Sequence, residues 1–423
     1  MKAETAKPLI ILKFGGEALA NQSKIEEAAN IIEHHINNQE NIVVAVSAMA
    51  GYTNKLIEYV EATQIQEKNN SYYSEYDVVV SCGEQITCGL LAISLQKRNL
   101  QARSFMGWQV PIITTAHHSV SKVKYVATTE LLICLDNNII PIISGFQGIT
   151  ENNRITTLGR GGSDTTAVAL AIALKADSCC FYKDVEGIYT ADPKVVPTAL
   201  LLPFVKYETM LAMSSSGAKI LQNRAVELAL KHNIKLLIKS TKNYNSKENR
   251  GSMIFKKEEN LEEGFISAIV TDANLYSKIN IVDAKCEHLN IKNLLEDFNN
   301  KSIYIDNFNY LYKYCNLKNH HIADLSLVTN QNNFYATLKI IAAHEEHLKY
   351  KAINFTENLA RISIVGIGIK TNQSILQKLF EILSRNGITI LMIDISDIKI
   401  SLLVLKADAA NLVNDLHNIY INS

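Results

Sequence analysis

The chain has 423 residues, with 42 Lys plus Arg against 42 Asp plus Glu, so its formal net charge is 0. That balance excludes a nucleic-acid binder that works through overall charge, though not a local basic pocket for a phosphorylated ligand. Hydrophobic residues make up 47% and charged residues 20%, which excludes a disordered chain, and at roughly 150 residues per domain the length predicts two to three domains.

The seven cysteines include no Cys-x-x-Cys pair, which fits buried thiols in a reducing compartment. The apolar run at 9–12 is too short for a signal peptide, and no apolar stretch approaches about 18 residues, so a cytoplasmic protein with no membrane span is expected.

In chain order, apolar runs at 9–14, 41–47, 76–80, 139–144, 178–182 and 235–239 alternate with stretches of helical length. Strands that are apolar throughout, separated by helices, predict a mostly parallel sheet covered on both faces. Polar, charged sequence at 243–251 and 256–264 reads as a linker. Beyond it, 361–365 alternates like a strand, and 374–385 carries a helical apolar face that Gly387 can stop. Two strands at 388–395 and 398–405 and a helix at 409–417 complete a ferredoxin-like order. The stretch 278–309 repeats that order more faintly, which predicts a duplicated module.

No Gly-Lys dipeptide occurs, so a P-loop is excluded. Gly366-Ile367-Gly368 imitates a dinucleotide fingerprint, but Thr371 stands where the third glycine belongs, and a plain strand-to-helix turn is the better reading. The informative segment is 156–164, TTLGRGGSD, leading into an apolar helix. Free N–H groups and the positive dipole end of a helix make such a loop an anion cradle, and glycine lets the backbone come close. Lys13-Phe14-Gly15-Gly16, Ser81-Cys82-Gly83-Glu84 and the run from Lys183 to Pro193 follow other apolar runs. In open α/β sheets, ligands sit at the carboxyl ends of the strands, so these clusters are expected to converge there.

KFGG, SAMAGYTNKL, SCGEQ, GFQGIT, TTLGRGGSDTTAVALA, DVEGIYTADP and SSGAKILQNRAVE, in this order, resemble the aspartokinase family over about residues 9–241. VGIGIK and ISDIKISLLVL resemble that family's second regulatory ACT module. The resemblance implies an α/β amino-acid kinase fold over 1–243, a linker at 244–263, a degenerate first ACT module at 264–350 and a second at 351–423. It implies transfer of the γ-phosphoryl of ATP, with Mg²⁺, to the β-carboxylate of L-aspartate, opening the lysine/diaminopimelate, threonine and methionine route. A homodimer formed through the ACT modules is implied as well. A carboxylate acceptor is already an anion at neutral pH and needs no general base. The work is to align two anions and spread transition-state charge.

By the same resemblance, Lys13 and Asp164 are catalytic. Ser47, Thr53, Glu84, Phe146, Arg160, Gly161 and Ser163 bind aspartate, Glu84 taking its ammonium and Arg160 a carboxylate. Gly15, Gly16, Lys183, Asp184, Tyr189, Lys194 and Lys219 bind the nucleotide, and no side-chain metal site is expected. The sequence departs from the family at Glu17-Ala18 for Thr-Ser, at Gln222-Asn223 for His-Pro, and at Lys183 for Thr. The Pro-Gly turn that exposes the effector site is missing near 286–290 and is replaced by Gln373-Ser374 in the second module, so weak feedback control is expected. The alternatives are a catalytically weak amino-acid-binding regulator and a related kinase for another carboxylate.

Overall fold

The computed structural model describes residues 7–65, 69–242, 244, 251–256, 266–272, 274–301, 303–313 and 322–422. The chain forms two compact units. The first contains residues 1–189, 200–214 and 219–262, and the second contains 190–199, 215–218 and 263–423.

The first unit is built on an eight-stranded sheet. Its order is Phe204–Lys206, Gly251–Phe255, Leu236–Ser240, Ser178–Lys183, Leu9–Phe14, Asn41–Val46, Ile140–Ser144 and Ala102–Phe105. All neighbours are parallel except Leu236–Ser240 with Gly251–Phe255. The central strands are buried on both faces, which is why they read as unbroken apolar runs. The helix Gln22–Asn37 buries a stripe of Ile25, Ala28, Ala29, Ile31 and Ile32, and Asn21 caps it by accepting from the Lys24 N–H at 3.1 Å. Beyond its polar first turn the helix Gly162–Leu174 is apolar all round, and it is buried from Gly162 to Ala171, as a helix enclosed by the core must be.

Three features differ from the sequence expectation. Residues 76–80 belong to the helix Asn70–Val80 rather than to a strand. Asp77 explains this: it is fully buried, and its carboxylate accepts from the Ser119 N–H and Thr157 Oγ1 and pairs with His118 Nδ1 at 2.9 Å. Those contacts dock the helix on a small sheet, Val123–Val126, Ile112–Thr114, Gln147–Ile149 and Ile155–Thr157, whose strands are too short to stand out in the sequence. Second, the strand Gly251–Phe255 falls inside the stretch read as a linker; the rest of that stretch lies largely outside the described residues. Third, the 27-residue helical run Asn70–Gln96 is long and apolar enough to cross a membrane by length and composition. More than half of its apolar window is buried within the protein, as in the core helix of a globular domain.

The second unit holds one antiparallel sheet, ordered Ile305–Lys313, Ile322–Asn330, Tyr276–Lys285, Ala352–Gly366, Lys399–Leu405 and Met392–Ile395, with Ile266–Thr271 also paired to Ala352–Gly366. Both expected modules are present. The tail runs strand, helix Gln373–Asn386, two strands, helix Lys406–Tyr420, and Gly387 caps the first helix at φ +63°. The earlier module repeats the order with the helices His288–Asn300 and Phe334–Ala343. The 15-residue strand Ala352–Gly366 serves both: its first half pairs with Tyr276–Lys285, its second with Lys399–Leu405.

Candidate active site

The first unit gathers its polar loops where parallel strands end. Lys13 leaves the strand Leu9–Phe14 with its Nζ 2.5 Å from Asp164 Oδ1, which the first turn of Gly162–Leu174 presents. Both side chains are buried. Burial alone would push the Asp164 carboxyl up, but the ammonium groups of Lys13 and Lys183 and the Gln222 backbone N–H outweigh it and hold the group below its ordinary value. A buried pair of this kind adds little net stability, because desolvation offsets the attraction. The contact holds the Lys13 ammonium in place beside the glycine loops.

Glycines let the loops meet. A Cβ at Gly16 would lie 3.0 Å from Ala48 O, one at Gly83 2.7 Å from Ala48 Cβ, and one at Gly145 2.7 Å from Val46 O and 2.8 Å from Ser163 Cβ. One at Gly162 would lie 2.9 Å from Phe146 Cδ2. The segments around 15–16, 47–50, 81–84, 145–146 and 159–164 are thus in contact, as the sequence predicts, except that the SCGE segment joins two helices rather than following a strand. Gly161 has φ +67° and opens the helix. Gly161→Ala should strain the turn by about 1–2 kcal/mol and drive a methyl into Gln222 Cγ, 1.6 Å from the ideal Cβ position. Thermal melting together with the aspartate KM checks this, and a variant unchanged in both would remove the conformational argument.

Glu84 sits in the first turn of Cys82–Gln96, 3% exposed. Burial pushes its carboxyl up to about 7, against the pull of the Ala48 and Glu84 backbone N–H groups and of Lys13. Among the described residues its Oε2 has no hydrogen-bond partner. A buried carboxylate oxygen without a partner is costly, and a substrate ammonium would satisfy it.

Of the other expected substrate residues, Ser47 is half-buried and its N–H donates to Phe14 O at 3.1 Å. Thr53 lies in the first turn of Tyr52–Glu61. Phe146 adopts φ +68°, with its N–H donating to Thr166 Oγ1 at 3.1 Å, so it is a constrained loop residue rather than an ordinary core phenylalanine. Ser163 is buried, and Arg160 is exposed at the loop tip. On the nucleotide side, Gly15 passes under Lys13, a Cβ there lying 3.6 Å from Nζ. Lys183 ends its strand half-buried, Asp184 follows it exposed, and the Tyr189 hydroxyl donates to Glu186 at 3.2 Å. Lys219 is exposed in the turn before Asn223–His232. Lys194 belongs to the second unit, exposed, with its N–H donating to Asp192 Oδ1.

The sequence reading missed three partners: the Ala48 and Gln222 backbone N–H groups and the Thr166 hydroxyl. All three lie inside quoted motifs, but two act through their backbone N–H groups, so only the Thr166 side chain could have been read from the sequence. The departures at 17 and 222–223 are accommodated. Glu17 is exposed, Gln222 packs on Gly161, and Asn223 Oδ1 accepts from Ser214 Oγ at 2.8 Å. A separate polar cavity of about 560 Å³ is lined by Lys124 and Arg154, but both are already paired, with Glu151 and Glu75.

Residues 8–240 match the amino acid kinase family, and residues 362–420 match an ACT domain. The aspartokinase of Rickettsia felis is 38% identical over 413 residues, 97% of this chain and 99% of the relative. That of Geobacillus stearothermophilus is 34% identical over 412 residues, 97% of each chain. Among solved structures, aspartokinase III of E. coli in complex with aspartate and ADP superposes with a TM-score of 0.77 at 22% identity, covering 98% of this chain and 100% of the other. On its sequence, its fold and the geometry of its strand-end loops, this chain belongs to the aspartokinase family.

Proposed function

We propose that this protein transfers the γ-phosphoryl group of ATP to the β-carboxylate of L-aspartate. The observation that carries the reading is the buried Lys13–Asp164 pair at the meeting point of the glycine loops, with an unsatisfied Glu84 oxygen nearby in the same assembly. A β-carboxylate oxygen attacks the γ-phosphorus, the bond to the β,γ-bridging oxygen breaks, and ADP leaves with that electron pair. Lys13 neutralises charge on the phosphoryl oxygens, and Asp164 keeps its ammonium aimed. Glu84 takes the aspartate ammonium, and Arg160 closes on the α-carboxylate. The N–H groups of the turn at 161–164 add the field of a helix N-terminus.

Among the described residues no cluster of three metal-ligating side chains occurs. Mg²⁺ is usually held by substrate phosphates and water with one or two carboxylates, and Asp184, exposed just after its strand, would contribute one. Bound there, the ion would screen the phosphate charges.

The second unit serves assembly in this reading. Its sheet ends, among the described residues, on the strand Ile305–Lys313, which leaves Leu311 exposed and offers an edge to a second copy. Sedimentation equilibrium reads the state directly, and a monomer at all concentrations would remove this role. Where the family carries a Pro-Gly turn, Cys286 is buried and Asn372 caps its helix by accepting from the Ser374 N–H, which fits weak effector binding. A hydroxamate assay for acyl phosphate tests the whole reading. We expect turnover with aspartate and little inhibition by millimolar lysine or threonine. Product only with another carboxylate acceptor would reject the substrate, and sub-millimolar inhibition would reject the altered-turn argument.

A further inference from the structure

The strands Leu9–Phe14 and Ser178–Lys183 run parallel, with Lys13 opposite Phe181 and Phe14 opposite Tyr182. Alternation along a strand sends Phe14 and Tyr182 to one face, where their rings stack with centroids 5.3 Å apart. Lys13, Phe181 and Lys183 therefore share the other face, Lys183 two residues further toward the carboxyl end, about 7 Å along. The helix that carries Asp164 packs on the strand Leu9–Phe14, and the Lys13–Asp164 pair marks the face it covers.

Lys183 is half-buried; its carbonyl accepts from the Thr241 N–H at 2.9 Å, but no hydrogen bond or ion pair among the described residues engages its ammonium. It is close enough for its charge to act on Asp164, as that of Lys13 does. Burial pulls its own pKa down, Lys13 adds to that, and Asp164 and Asp184 oppose it. Two ammonium groups thus share one buried carboxylate. Asp164 is in contact with Lys13 at 2.5 Å, and among the described residues no carboxylate is in ion-pair contact with the Lys183 ammonium. A partly desolvated lysine with no contact partner is costly in the free protein, and a polyanion bound beside it relieves that cost.

We propose that Lys183 is a second phosphoryl-gripping lysine of this enzyme, contacting the γ-phosphate of the nucleotide together with Lys13. This rests on the reading of the site as a nucleotide-dependent phosphotransferase. The shared carboxylate sets which phosphate is met. Lys183 shares the face of Lys13, two residues further on, and its charge reaches Asp164, so the group that Lys13 neutralises lies within reach of both charges. A loose transition state spreads charge over three equatorial oxygens, and one lysine cannot reach all three. Where the family uses a hydroxyl, this chain supplies a full charge.

Lys183→Met and Lys183→Gln remove the charge at similar length, and Lys183→Arg keeps it. Calorimetry with Mg²⁺ measures the affinity of each for ADP and for the β,γ-imido analogue of ATP, and steady-state assays give kcat. We expect both neutral variants to bind ADP nearly as the parent does and the imido analogue about tenfold more weakly. Their kcat should fall roughly 10²-fold, as on losing one transition-state donor, with Arg recovering most of it. Equal weakening of both nucleotides would move Lys183 to the diphosphate and overturn the proposal, and so would an unchanged kcat. The binding comparison needs no acceptor. Parent protein that discriminates between the two nucleotides yet does not phosphorylate aspartate would reject the acceptor and leave Lys183 judged on the affinity ratio. Parent protein that binds neither nucleotide would reject both readings.

Discussion

Lys13→Met and Asp164→Asn should each lower kcat by at least 10²-fold, the usual effect of losing a charge placed for the transition state. Each should also destabilise the fold, because either change strands a buried charge, at a cost of about 3–5 kcal/mol. The two effects separate in the double variant. With both charges gone only the half-buried Lys183 has lost a neighbouring charge, so thermal stability should recover in part relative to the singles. Activity should not recover. A double variant that regained kcat as well as melting temperature would make the pair a structural contact and remove it from the chemistry. Near-parental kcat in Lys13→Met would do the same for the lysine alone.

The second large effect concerns Glu84 and pH. Burial pushes its carboxyl up to about 7. Below that pH the free enzyme offers an aspartate ammonium a neutral acid, and above it a carboxylate. We therefore expect kcat/KM for aspartate to rise about tenfold per pH unit below 7 and to level off by pH 8, a pKa shift acting directly on affinity. Glu84→Gln should flatten this limb and raise the aspartate KM by about 10–100-fold, from a lost charged contact of roughly 1.5–3 kcal/mol. The sign for stability is opposite. A carboxyl raised on folding holds its proton in the native state after the unfolded chain has lost it, so this group's contribution declines as pH rises toward and through 7. A pH profile that survives in Glu84→Gln would assign the titration elsewhere.

Much of the site was legible because its residues lie in short motifs with a physical purpose. Lys13 before two glycines and Asp164 after three announce charge beside free N–H groups. What the sequence hid was set by distant partners. The run Val78–Val80 has β-branched residues that suit a strand, yet Asp77 beside it must be buried against His118, Ser119 and Thr157, and that requirement selects a helix. The strand Gly251–Phe255 has too few residues to show a period, and its pairing to Leu236–Ser240 decides it. The Gln222 N–H on Asp164 is a backbone contact across 58 positions, for which no side-chain pattern exists. Lys183 was visible as a departure from the family, but its face relative to Lys13 needed the register.

The strand Ala352–Gly366 has a consequence for how such chains can be rearranged. Tandem duplication ordinarily leaves two segments that can be recombined at the seam between them. Here the seam falls within a single strand whose halves belong to different modules. A crossover near residue 358 would hand each descendant half of a hydrogen-bonded ladder and an open edge. Exchange of this unit between relatives is viable only when the whole sheet travels together. Even then, residues 190–199, which bring Ala191 and Val196 into that unit's core, must come from a matching parent.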